Sequence, residues 1–69
     1  MARYYTMQYY KITFTRATGE QYSVYIKAFN EQDALKIIED KHLYKKPIDL
    51  EGNYNIEVIS EAVYKQHNK

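Results

Sequence analysis

The chain has 69 residues, no cysteine, and ten basic against nine acidic side chains, for a formal charge of +1. A length of this order bounds it to one domain with a single small core, and the missing thiols exclude both a disulfide framework and a thiolate metal site. A charge so close to zero argues against a protein that coats long stretches of duplex through their phosphates. The opening MARYYTMQYYK interrupts every apolar pair with polar residues, so neither a signal-peptide core nor a membrane span is expected. A cytoplasmic protein with no membrane partner follows.

Tyr4 to Arg16 is rich in Tyr, Thr, Ile and Phe and free of Gly and Pro, and Gln21 to Phe29 repeats that character. Both read as strands, over about 4–16 and 21–29. Ala17-Thr18-Gly19 joins them, and parity decides the register. With a type I turn and Gly19 in the left-handed position of a G1 bulge, Arg16 faces Glu20, Phe14 faces Tyr22, Ile12 faces Val24 and Tyr10 faces Ile26, which gathers the aliphatic side chains on one face. A two-residue Thr18-Gly19 turn splits that set between core and water and forces positive φ on a β-branched residue.

Asn30 then opens a helix over about 31–44. It is a favoured N-cap, Asp33 is placed to reciprocate, and Glu31 and Asp33 put negative charge at the positive end of the helix dipole. Ala34, Leu35, Ile37, Ile38 and His42 fall on one side at helical spacing. Lys45-Lys46-Pro47 is expected to end the helix. Ile48 to Asn53 reads as a loop closing on the turn Glu51-Gly52-Asn53, and about 54–61 alternates as a third strand. The polar stretch from Ala62 to Lys69 is expected to fray.

These elements predict an α+β fold, a single ββαβ domain over residues 1–69. Its three-stranded antiparallel sheet has order 2-1-3 and carries one helix on one face, since a helix crossing back over the sheet seats the third strand beside the first. The expected core is Tyr10, Ile12, Phe14, Tyr22, Val24, Ile26, Ala28, Leu35, Ile37, Ile38, Ile56 and Val58. The other face then lies open and carries Tyr9, Lys11, Thr13, Tyr25, Lys27, Glu57 and Ile59. Lys11 opposite Tyr25 and Tyr9 opposite Lys27 make it a checkerboard of aromatic and cationic groups.

The functional signal is aromatic. Nine tyrosines are more than a small domain hides, because a chain of this size buries only about 60% of the surface its unfolded form exposes. Tyrosine tolerates one apolar and one wet end and is enriched at interfaces. The candidate partner-binding residues are Tyr5, Tyr9, Lys11, Tyr25, Lys27 and Ile59. They suit a non-enzymatic module that binds a host or viral protein. Two alternatives are a single-stranded nucleic-acid binder, which stacks bases on the tyrosines and neutralises phosphates with the lysines, and a structural homo-oligomer. The simpler reading of the same residues is a solvated hairpin with lysine stems over tyrosine rings. No catalytic residue, cofactor or metal site is expected: His42 and His67 lack metal-pair spacing, Ser23 and Ser60 lack a nucleophile motif, and Asp40, Asp49 and Glu51 read as solvated carboxylates.

The segment Val24 to Ile38, a strand ending in Ala28 followed by an Asn-x-x-Asp-Ala-Leu helix start, resembles a βα unit of many small bacterial and phage proteins. Together with the small size, the tyrosine content and the bias toward residues with AT-rich codons, the chain resembles the short accessory proteins of phages and mobile elements in low-GC bacteria. That resemblance implies a protein that binds a host enzyme and inhibits or remodels it. HicB-type antitoxins share the ββαβ order, but the Pro-Asp-x-Pro-Gly element that follows their first strand is missing here.

Overall fold

The computed structural model describes residues 6–67. Strands β1 (Gln8–Thr15) and β2 (Gln21–Ala28), helix α1 (Glu31–Asp40), a 3-10 turn (Pro47–Leu50), strand β3 (Tyr54–Ile59) and helix α2 (Glu61–His67) follow in order. The sheet is antiparallel with order β2-β1-β3. The α+β class and strand order are therefore those read from the sequence, with a second helix added.

The hairpin has the G1 geometry. Gly19 N–H donates to the Arg16 carbonyl at 2.8 Å, Arg16 N–H donates to the Glu20 carbonyl at 2.8 Å, and Gly19 has φ +92. Tyr10↔Ile26, Ile12↔Val24 and Phe14↔Tyr22 then follow as paired residues. The central strand buries Tyr10, Ile12 and Phe14 against Ile26 and Ala28 of β2 and against Ala34 and Ile38 of α1. Tyr22, Val24, Ile37, Tyr44, Leu50, Tyr54 and Ile56 pack around that centre while keeping some exposure. Two expected core residues lie outside this cluster: Leu35 is only half-buried, and Val58 is 60% exposed. The reason is where the helix sits. α1 rests on β2, so the sheet is capped on its β2 side and the far side of β3 stays uncovered.

α1 begins as its cap predicts, with Asn30 Oδ1 accepting from Asp33 N–H at 2.7 Å and Asp33 Oδ2 accepting from Phe29 N–H at 3.2 Å. It ends earlier than Lys45. Leu43 N–H donates to the Ile38 carbonyl at 2.9 Å, His42 N–H to the Glu39 carbonyl at 3.3 Å, and His42 has φ 55. This is a Schellman closure with His42 in the left-handed position where glycine is preferred. His42 is exposed, and its ring lies 5.9 Å from that of Tyr44, which packs against the core. His42→Gly is expected to raise stability by about 1 kcal/mol, since relief of a left-handed non-glycine backbone outweighs the loss of the exposed ring's contact with Tyr44. Thermal unfolding measures it, and an unchanged or lower melting temperature would show that the His42 ring contributes more than its backbone costs.

Of the stretch expected to fray, residues 62–67 are helical instead, and residues 68 and 69 lie outside the described residues. Ser60 Oγ accepts from Val63 N–H at 3.2 Å, the Ser60 carbonyl accepts from Tyr64 N–H at 3.0 Å, and Lys65 pairs with Glu61 at 3.1 Å. α2 packs on β1 and β2 across the face that the sequence leaves open.

Candidate partner-binding site

Strand alternation brings Tyr9, Lys11, Tyr25, Lys27 and Ile59 to one face of the sheet, and the observed pairs are Lys11↔Tyr25, Tyr9↔Lys27 and Tyr9↔Ile59. Lys27 Nζ stands over the Tyr9 ring, 5.8 Å from its centre. The expectation of a bare face needs correction, because α2 lies over it. Tyr64 meets Tyr9 with ring centres 4.7 Å apart, and His67 stacks flat on Tyr25 at 4.5 Å and 2°. Tyr64 and His67 are three residues apart, so one side of the short helix presents both rings to the sheet. Tyr9, Lys11, Tyr25 and Ile59 are consequently half-buried, and only Lys27 remains exposed. Tyr5 lies outside the described residues.

The face therefore narrows to an edge. Tyr25, Ile26 and Lys27 line one cleft together with Ile37, Lys41, Leu43 and Tyr64, and its volume is about 420 Å³. Consecutive residues of a strand point to opposite faces, so a cleft touching all three of these opens at the margin of β2, between the end of α1 and α2. Arg16 N–H donates to the Glu20 carbonyl at the hairpin end, which makes Arg16 and Glu20 a bonded pair of the ladder. Bonded and non-bonded pairs alternate along an antiparallel ladder, which turns the N–H and C=O groups of Tyr25 and Lys27 outward, into the cleft. Ile26, Ile37 and Leu43 give it an apolar lining, Tyr25 and Tyr64 aromatic walls, and Lys27 and Lys41 positive charge. Among the described residues neither lysine has an ion-pair partner.

Of these lining residues, Ile26 and Ile37 are expected from the sequence only as core, and Lys41, Leu43 and Tyr64 belong neither to the expected core nor to the candidate binding residues. For Tyr64 a signal existed: Ser60 as N-cap, Glu61 and Lys65 at i,i+4, and two aromatic side chains at i,i+3 describe a short amphipathic helix. Leu43 had none, because its position follows from the left-handed turn at His42.

Chain against chain, no family model, curated protein or solved structure matches.

A second polar cluster lies at the hairpin end. Asp49, read from the sequence as solvated, is 2% exposed. Its Oδ2 accepts from the Tyr22 hydroxyl at 2.6 Å and from Lys46 N–H at 3.2 Å, and the Tyr22 oxygen accepts in turn from Lys45 N–H at 2.9 Å. Lys45 Nζ stands 5.0 Å from the centre of the Tyr22 ring and 3.4 Å from Glu20. Burial, then donation to Asp49, push the Tyr22 phenol above its ordinary value, and the Lys45 N–H pulls in the other direction. All of these groups are satisfied within the chain, so the cluster fastens the 3-10 turn to β2. Among the described residues no group of three or more His, Cys, Asp or Glu side chains is placed to hold a metal ion, and no helix is long and apolar enough to cross a membrane.

Proposed function

We propose that the protein is a non-enzymatic binding module that captures an extended, acidic segment of a partner protein along the outer edge of β2. The observation that carries this reading is the cleft at Tyr25, Ile26 and Lys27. It combines outward backbone donors and acceptors, an apolar lining and two lysines without an ion-pair partner among the described residues at one strand edge. A peptide in β-conformation satisfies all three at once: its backbone extends the sheet, its alternate side chains enter the apolar lining, and its carboxylates meet Lys27 and Lys41. The composition shared with small phage and mobile-element proteins supports a host protein as the source of that segment, with inhibition or remodelling as the consequence. The nucleic-acid reading is less well supported, because Tyr64 packs at a tilt against Tyr9 and His67 stacks on one face of Tyr25, which reduces the ring surface left for bases.

Peptides selected from a random library against the full chain test this directly. The expected binders carry an acidic residue next to apolar ones, shift the amide signals of Tyr25, Lys27, Lys41 and Leu43, and weaken roughly tenfold with Lys41→Glu. Selection without enrichment, or signal changes confined to another surface, would overturn the site. Salt-sensitive binding of labelled oligonucleotides that Tyr25→Ala abolishes would favour nucleic acid instead.

A further inference from the structure

The opposite margin of the sheet has a different chemistry. Thr15 N–H donates to the Asn53 carbonyl at 2.8 Å, and the β1–β3 register continues through Thr13↔Asn55 and Lys11↔Glu57. By the alternation of an antiparallel ladder, the odd-numbered residues of β3 spend their backbone groups on β1, and those of Tyr54, Ile56 and Val58 point outward. The same three side chains lie on the α1 face, where Val58 remains 60% exposed. Natural edge strands are commonly blunted by lysine, proline or a bulge. β2 has Lys27, but β3 reads Tyr-Asn-Ile-Glu-Val-Ile, with no lysine or proline.

We propose that β3 pairs antiparallel with β3 of a second copy about a two-fold axis at Ile56, joining two sheets into one continuous sheet. In that register Ile56 faces Ile56 of the second copy as a bonded pair, and Tyr54 faces Val58. Every outward N–H and C=O of the three residues thereby meets a partner, and the exposed Val58 is covered by a tyrosine ring. On the other face the Asn55 amide stands opposite the Glu57 carboxylate of the second copy, in a non-bonded pair where side chains approach closest. Moving the axis to Glu57 places two carboxylates directly opposite each other, which is destabilising. Moving it to Asn55 shortens the overlap to Tyr54, Asn55 and Ile56 and leaves Val58 opposite Gly52, which has no side chain to cover it. Charge and shape therefore select one register. The two β2 clefts fall at the far ends of the joined sheet, so dimerisation and capture of a partner use separate surfaces.

Sedimentation of the full chain tests the dimer. The expected result is a concentration-dependent rise to twice the monomer mass, lost in Val58→Pro, which removes one outward N–H from an edge position while leaving the β1 ladder intact. The register is tested at an exposed residue that the fold does not need. Asn55→Lys, now opposite Glu57, is expected to tighten the dimer roughly tenfold over the symmetric pair of contacts, and Asn55→Glu to weaken it by a similar factor. A monomer at millimolar concentration overturns the proposal. A dimer indifferent to both Asn55 variants overturns it as well, by placing the interface elsewhere.

Discussion

Phe14→Ala is expected to leave no cooperative unfolding transition at room temperature. Phe14 is completely buried on the central strand, with its ring stacked on Tyr22 at 5.0 Å and edge-on to Tyr54 at 6.0 Å. It thus joins the two outer strands through the middle one. Truncating a buried phenylalanine to alanine costs about 3 to 5 kcal/mol, from lost transfer energy and the cavity left behind. A chain of this length has only about 3 to 10 kcal/mol in total. Phe14→Leu keeps most of the volume and is expected to stay folded with a lowered midpoint, so the pair of variants separates loss of packing from loss of the aromatic contacts. Chemical denaturation followed by circular dichroism measures both. A midpoint for Phe14→Ala close to that of the parent would show that the fold is held elsewhere, with the Asp49 cluster as the first place to look.

Tyr22→Phe is expected to cost about 1 to 3 kcal/mol, although it deletes a single oxygen. The loss is the unmet need of a buried acceptor: Asp49 retains only the Lys46 N–H, and a buried polar group deprived of its partner is penalised by its full desolvation. The same pair sets a dependence on alkali. The Tyr22 phenol is held above its ordinary value of 10.0 in the folded chain, so folding favours the protonated form. The stability that this provides is fully present below pH about 10, where the unfolded phenol is also protonated, and it is lost as pH rises through the folded value. The parent should therefore lose stability above pH 10 more steeply than Tyr22→Phe. Equal slopes in the two proteins would mean that the Tyr22 to Asp49 contact is not maintained in solution.

Asp49 also shows what a reading by composition overlooks. Lys45, Lys46, Asp49 and Glu51 look like a solvated loop because all are polar and close in sequence. The carboxylate is nevertheless drawn inward by a tyrosine 27 residues earlier, a partner that no local pattern announces.

Elsewhere the sequence was explicit, and the reason is that the rules involved are local. The Ala17-Thr18-Gly19 turn has one glycine able to take positive φ, and only one register puts Tyr10, Ile12, Phe14, Val24 and Ile26 on a common face, so turn chemistry and parity together determined the hairpin. Asn30 and Asp33 determined the start of α1 in the same way. Crossover handedness, with a helix needing a sheet to cover, placed β3 beside β1. Tertiary structure alone decided the candidate site. α2 has only seven residues, too few to be stable in isolation, and its order rests on Tyr9 and Tyr25, which lie far away in sequence. By covering them it turned an expected open face into a cleft at the β2 edge. Val58 has the parity of a core residue, but parity names a face and not the cover over it. Because α1 rests on β2, that face ends before it reaches β3, and Val58 is left at an open edge.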